Sequence, residues 1–411
     1  MSAPLKIAFL SHTAMGGDFV VGSHHLSAAL AAAGHEVTHI SPPVSPAHLL
    51  VWRDRFVRVR CRRWLRGGES IKGVRDVVPL TLLPWQLARR SVTLTKAYSQ
   101  SILIDPLHGR SALSLEDADA LIVDEPRFVG LVPASSRQII VYRPTDLYAL
   151  MRNDPSIYAV ERTLCARADV LVATSEGVAA HLRRLCGRPA HVINNGVDVQ
   201  HFATAPVDDS FASQLPGRRQ DRAVYVGSFD GRFSVAALRA AALALPGKHF
   251  ILAGPGSAKL ASLAANVTAL GAIDYAMLPQ LLGQCAVGLL PFAADPLNAA
   301  RSPMKLFEYA AAGLAIAATQ ASSHQAAMPS LSVAGDENLF ADAVTGAFDL
   351  ADDAVTLDAA RSVARCESWT AKSNRLLDLI RGAQLGASDP HPGEPVPGAA
   401  QRIGICSARA T

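Results

Sequence analysis

The stretch Arg301-Ser-Pro-Met-Lys305-Leu-Phe-Glu308-Tyr-Ala-Ala-Ala-Gly313-Leu-Ala-Ile-Ala-Ala-Thr319 decides the fold. Ser302 and Pro303 form a turn, and proline suits the first turn of a helix. Residues 304–312 carry a helical pattern. Residues 314–319 run apolar without a break, as in a strand buried on both faces. A helix handing over at once to such a strand is a unit of a parallel α/β sheet.

The same alternation extends in both directions. Upstream, strands are expected at 222–227, 249–254, 266–270 and 286–291, with helices at 235–245 and 275–283. Further upstream a separate series begins, with strands at 6–11, 36–41, 74–83, 120–124, 138–143, 170–175 and 191–194. Helices at 22–33, 155–167 and 176–185 lie between them. Residues 199–222, rich in Pro, Asp, Ser and Gln, part the two series. Downstream, helices are expected at 337–350, 357–365 and 368–381, the last ending at Gly382. Beyond Gly386, Pro390, Pro392, Pro395 and Pro397 stand among Gly, Ser and Ala, which predicts a disordered tail.

The fold class is therefore α/β, with two doubly wound parallel-sheet domains, and 411 residues suffice for two such cores. The expected division is 1–203, 204–367, a C-terminal helix at 368–385 and a tail at 386–411. Ligands in such sheets bind beyond the carboxyl ends of the strands, which places the chemistry in the cleft between the domains.

Composition narrows the classes. A formal charge of +4 is too small to argue for nucleic acid. Cys61, Cys165, Cys186, Cys285, Cys366 and Cys406 are scattered without CxxC or metal spacing, which fits a reducing compartment. No apolar run nears the ~20 residues of a membrane span, and the first apolar run is strand-length, so a cytoplasmic protein is expected. The charge is uneven: Arg53, Arg55, Arg58, Arg60, Arg62, Arg63 and Arg66 lie beside Trp52, Phe56 and Trp64, with one acid, Asp54. Such a segment suits anionic lipid headgroups on the inner face of the membrane; the bland alternative is a solvated basic loop.

Several residues carry candidate chemistry. The free N–H groups at the start of the 304–312 helix favour a phosphate. Lys305 in that first turn opposes the helix dipole unless an anion is present. Glu308, one turn on, has the oxygens to accept both hydroxyls of a ribose. A plain amphipathic helix with a Lys–Glu pair is the alternative reading. Gly16-Gly17 follows the first strand and could present amides to a phosphate or an acceptor, with His25 at the start of the next helix. GxGxxG is absent, which argues against a dinucleotide. Asp117-Ala-Asp119 precedes its strand and so lies at the wrong end of the sheet for a metal site.

The 301–319 stretch, with Val192–Asp198, Tyr225–Phe229, Gly254–Gly256, Leu289–Phe292, Ile140–Tyr148 and Ala168–Val178 in one collinear order, resembles GT-B glycosyltransferases of bacterial polysaccharide synthesis. It is most similar to GT4-type enzymes and the xanthan glucuronosyltransferase group. The resemblance implies a donor site of Gly227, Ser228, Phe229 and Gly254, with Ala272, Ile273 and Phe292 about the base. Met304 and Lys305 would meet the diphosphate and Glu308 the ribose. It implies Asp146 as general base, against its alternative as a helix cap. The implied partners are a nucleotide-sugar, UDP before GDP, and a glycan or lipid-linked acceptor. No metal or other cofactor is expected, Lys305 and the helix N-terminus offsetting the diphosphate charge.

The chain departs from the GT4 pattern at Ala300, where a glutamate eight residues before Glu308 is usual, and in having only Arg232 where an Arg and a Lys are usual. Both departures favour inversion through Asp146 over retention. Two rival readings remain open: a sugar-nucleotide epimerase of the same architecture, and a non-catalytic nucleotide-sugar-binding partner.

Overall fold

The computed structural model describes residues 3–16, 20–51, 54–89, 91–103, 115–134, 136–203, 211, 213–320 and 327–387. The first sheet contains β1 (Lys6–Leu10), β2 (Glu36–Ile40), β3 (Glu69–Ile71), β4 (Val74–Val77), β5 (Ala120–Val123), β6 (Ile139–Tyr142), β7 (Val170–Ala173) and β8 (His191–Val192). Its order is β3-β4-β2-β1-β5-β6-β7-β8, parallel except for the antiparallel β3–β4 pair. The second contains β9 (Arg222–Val226), β10 (His249–Ala253), β11 (Val267–Gly271), β12 (Val287–Leu290), β13 (Ala315–Ala318) and β14 (Leu331–Val333), ordered β11-β10-β9-β12-β13-β14 and parallel.

The longer helices are α1 (Gly22–Ala32), α2 (Arg55–Leu65), α3 (Val92–Gln100), α4 (Ser156–Arg167), α5 (Glu176–Cys186), α6 (Val235–Ala244), α7 (Met304–Ala311), α8 (Phe340–Ala351), α9 (Ala354–Cys366) and α10 (Trp369–Ala387). They cover both faces of each sheet because successive strand side chains alternate sides. Ile7 and Phe9 of β1 join Leu26 and Leu30 of α1. Ala8 and Leu10 join Leu164 of α4 and Leu182 of α5 on the opposite face. In the second sheet, Ala223 and Tyr225 pack under α6 and α8, while Val224 faces α7 and α9. Each fully buried Leu, Ile, Val or Phe among these contributes about 1.5–3 kcal/mol.

The chain crosses between the domains twice, side by side, where Val197 bridges Ser368. After the second crossing α10 returns to the first domain, burying Trp369, Leu376, Leu377 and Ile380 with Ile7 and Phe9. It runs through Gly382 to Ala387, so Gly382 does not end it: with α10 docked, the intrinsic cost of a mid-helix glycine, about 1 kcal/mol, is readily offset. The expected strand at 74–83 stops at Val77; Leu80 beyond it makes isolated bridges to Val44 and Leu103. The expected boundary at 203/204 falls at the edge of the described residues, between β8 and β9, and the tail from 388 lies outside them. Among the described residues no helix is long and apolar enough to cross a membrane.

Candidate active site

A cavity of about 260 Å³ lies between the carboxyl ends of the two sheets. The first domain supplies His12 after β1, Val21 and Gly22 at the start of α1, Thr145 and Asp146 after β6, and Asn195 after β8. The second supplies Tyr225, Ser228, Asp230, Arg232 and Phe233 after or near the end of β9, Phe292 after β12, and Arg301–Lys305 leading into α7.

Its second-domain wall is basic. α7 begins after Pro303 with no side-chain cap, so its first N–H groups are left for another partner. Lys305 forms no salt bridge with Glu308 among the described residues; its ammonium lies 5.8 Å from the Tyr225 ring centroid. Burial lowers its proton affinity, Glu308 raises it, and the charges of Arg301 and Arg232 lower it further. Gly227 makes room for it: an added methyl group there would lie 2.6 Å from Lys305 Cε, on a backbone with φ +150°. Gly254 (φ +136°) lies so close behind that its added methyl would collide with the Gly227 carbonyl. Burial pushes the Glu308 carboxyl up to about 7, against the pull of Lys305. Lys305 and Glu308 are thus both desolvated without a salt bridge between them, which is not the surface pairing of a plain amphipathic helix.

The first-domain wall holds mixed charges. The Asp146 carboxylate accepts from Arg301 Nε at 3.0 Å and Nη2 at 3.3 Å, a two-pronged bridge across the cleft. It caps no helix: the short turn at Tyr148–Met151 starts after Leu147 without a side-chain cap. His12 lines the same cavity, with Nδ1 3.4 Å from the Tyr148 hydroxyl. Burial, partly opposed by Glu125 and Asp146, lowers its pKa to about 4, so the imidazole is neutral at neutral pH. Behind it Arg143, 1% exposed, donates to Asp124 at 2.7 Å. Arg143 Nε and Nη2 and Asn195 Oδ1 find no hydrogen-bond partner among the described residues. Both side chains stand over Gly22, where a methyl group would lie 2.8 Å from Asn195 Oδ1 and 3.4 Å from Arg143 Nη2.

Residues 20–201 match the Glycosyltransferase Family 4 domain and residues 220–349 match Glycosyl transferases group 1, one family in each half of the chain. The chain is a GT-B glycosyltransferase. It is 26% identical over 272 residues to TuaH of Bacillus subtilis (strain 168), a protein assigned to teichuronic acid biosynthesis as a glycosyltransferase, covering 61% of this chain and 68% of TuaH. Among solved structures it is similar in fold to sucrose-phosphate synthase from Thermosynechococcus elongatus (TM-score 0.68, 19% identity, 94% of this chain and 100% of that one). Anabaena Alr3699/HepE, solved with UDP-glucose, is also similar (TM-score 0.66, 15% identity, 92% and 100%).

The structure of this glycosyltransferase brings together Asp146, Ser228, Phe292, Met304 and Lys305 at the cavity, with Gly227 and Gly254 directly behind Lys305. Ala272 and Ile273 follow β11 at the same end of the sheet. Phe229 instead turns into a cluster with Tyr225 and Phe233, and it is Phe233 that reaches the cavity. His25 stacks on Trp369 of α10, rings parallel and 5.0 Å apart, and so serves the domain junction. Gly16 abuts Arg63 and Ile71 rather than the cavity, and Gly17 lies outside the described residues. The Asp119 carboxylate accepts from the Lys6 backbone N–H at 2.7 Å, at the end of β1 away from the cleft. Sequence reasoning missed His12, Asn195 and Arg301; their one signal was position just after a strand or just before α7.

The basic run is a helix rather than a loop. Asp54 caps α2 by accepting from the N–H groups of Phe56 and Val57. Val57, Cys61 and Trp64 share one face and pack on Val44, Val78 and Leu80. Two expected lipid contacts are thereby withdrawn. Trp64 faces the protein, and Arg63, 4% exposed, is bound by Asp76, Glu69 and the Met15 carbonyl. Phe56, Arg58, Arg62, Leu65 and Arg66 are exposed and Arg60 is half-buried; Trp52 and Arg53 lie outside the described residues, as does the side chain of Arg55.

Proposed function

We propose that this glycosyltransferase moves a hexose or uronic acid from a UDP-sugar to a glycan acceptor carried on a lipid, in polysaccharide synthesis, with inversion. The observation that carries the reading is the Lys305 ammonium at the uncapped start of α7, crowded by Arg301 and Arg232 and without a salt bridge among the described residues. A diphosphate meets that demand. The assignment of TuaH to teichuronic acid biosynthesis supports a role in polysaccharide synthesis, and the UDP-glucose bound to HepE supports the donor.

In the proposed reaction the Asp146 carboxylate takes the proton of an acceptor hydroxyl. The oxygen attacks the anomeric carbon, and the bond from that carbon to the diphosphate oxygen breaks. Lys305, Arg301, Arg232 and the N-terminus of α7 take up the charge of the leaving UDP, so the step calls for no metal ion or other cofactor. Ala300 offers no carboxylate for retention, and its main chain packs against α5: a methyl group at Gly177 would lie 2.6 Å from Ala300 Cα. Glu308 would accept from the ribose hydroxyls.

A thermal-shift panel of UDP, GDP, their sugar conjugates and NAD tests the donor assignment, since a ligand of the native state raises Tm. A selective shift with UDP or one UDP-sugar is expected; a shift with NAD alone, or with none, refutes it. Conversion of a UDP-sugar to its epimer without acceptor would instead identify an epimerase.

We further propose that the outer face of α2 rests on anionic lipid. Phe56 and Leu65 are 46% and 54% exposed beside Arg58, Arg62 and Arg66, and Leu82, Leu87 and Leu94 are exposed in the following stretch. Replacing Arg58, Arg62 and Arg66 with Glu should abolish sedimentation with phosphatidylglycerol vesicles. Undiminished sedimentation would rule this face out.

A further inference from the structure

We propose that Arg301 is a donor-operated gate on Asp146: with the donor site empty its guanidinium occupies the carboxylate, and an arriving diphosphate draws it away and frees the base. The inference rests on the roles given above to Asp146 and to the start of α7.

The geometry provides for the exchange. Arg301 holds both Asp146 oxygens, at 3.0 and 3.3 Å, so in this state an acceptor hydroxyl must compete with the guanidinium for the carboxylate. The pair is not sealed: Arg301 is 27% and Asp146 18% exposed, and both line the cavity that Lys305 and Arg232 also line. A partly solvated pair of this kind is weak and can be traded for another.

The main chain around Arg301 is pinned separately. Ser175 Oγ donates to the Ala300 carbonyl. Asn195 Nδ2 donates to the Ser302 carbonyl at 2.8 Å, and Asn195 N–H to Ser302 Oγ at 3.1 Å. The backbone on each side therefore stays against the first domain while the long side chain between can turn. The Asp146 carboxylate offers it a single charge, and a diphosphate ester, bound four residues away in sequence at Lys305 and the α7 terminus, offers it two.

The exchange has a consequence that a fixed strut would not have. Asp146 and the donor compete for one guanidinium, so Asp146 weakens donor binding even though it serves the reaction. It also imposes order, because the acceptor hydroxyl finds a base only after the donor has bound.

The test is calorimetric titration of the full chain with UDP, and with GDP in parallel, on wild type, Asp146→Asn, Arg301→Gln and the double variant. Asp146→Asn is expected to tighten nucleotide binding about fivefold, the worth of a partly exposed ion pair of ~1 kcal/mol. Arg301→Gln is expected to weaken it, and in that background Asp146→Asn is expected to change nothing. Unchanged or weaker binding by Asp146→Asn alone overturns the gate and makes the pair a static tie between the domains. Equal tightening with and without Arg301 overturns it as well, since the effect would then be general charge repulsion. Arg301→Lys serves as the check on folding, keeping the charge while losing the two-pronged grip. The base assignment fails separately: if Asp146→Asn retains full transfer activity, Asp146 is no base, whatever the titrations show about exchange.

Discussion

The two walls of the cavity are built in different ways. The second-domain wall draws its central charges from one short segment: Arg301, Lys305 and the N-terminus of α7 lie within five consecutive residues, with Gly227 making space behind. The first-domain wall takes His12 and Gly22, Asp146, and Asn195 from three separate connections, placed by β1, β6 and β8. A wall made from one segment keeps its geometry through local structure. A wall made from three depends on the sheet that sets them side by side and on the domain junction. The second-domain wall suits a ligand part that stays constant, such as a diphosphate, and the first-domain wall suits a variable one, such as an acceptor.

The largest effect should come from the composite wall. Asp146→Asn should lower transfer by roughly 10²–10⁴-fold, the worth of a positioned base, while nucleotide binding is retained. The comparison with His12→Ala is what gives this result its meaning. His12 is a neutral imidazole on the same cavity and competes for the role of base. If His12→Ala abolishes transfer in steady-state assays and Asp146→Asn does not, the roles are reversed. Next in size, Lys305→Ala should weaken UDP binding by one to two orders of magnitude, the range of a charged hydrogen bond of ~1.5–3 kcal/mol. Unchanged UDP affinity by calorimetry would remove the diphosphate from this wall.

The two walls also differ in how far the sequence reveals them. Periodicity located most strands of both sheets and the order of helices between them, because burial on both faces forces continuous apolar runs such as Ala120–Val123 and Ala315–Ala318. It missed the two three-residue edge strands, β3, where Glu69 and Ser70 are exposed and Ile71 is half-buried, and β14, because neither is long enough to leave an apolar pattern. Lys305 was legible because an unneutralised cation at the start of a helix is locally anomalous. Arg301 was not: its partner is 155 residues away and nothing next to it in sequence betrays the pairing. The arginines of α2 show the opposite failure. Composition made them a uniform patch, whereas a single residue step, about 100° of helix, separates Arg62, in solvent, from Arg63, buried against Asp76. Charge counts do not carry the 3.6-residue phase that sorts such neighbours.

The smallest expected effect concerns Glu308, and it tests whether the second-domain wall is tuned for a ligand at a cost in stability. Burial raises its folded-state pKa to about 7, well above an ordinary glutamate near 4.3. Between those values the folded protein holds a proton that the unfolded chain has released. Stability should therefore fall as pH rises through this window and level off above about 7. UDP affinity should run the other way, because the ionised carboxylate is the better acceptor for two ribose hydroxyls. Glu308→Gln removes the titration while keeping the shape. Its Tm should lose that part of the decline between pH 5 and 8 and stand above wild type by about 2 °C at pH 8. Its UDP affinity at pH 8 should be lower than wild type, with a flatter pH profile; using the variant as baseline cancels the titration of UDP itself. Melting curves and titrations at pH 5, 6.5 and 8 would read both slopes. If the variant gains stability without losing UDP affinity, Glu308 is a buried acid with no part in binding, and the donor wall ends at Lys305.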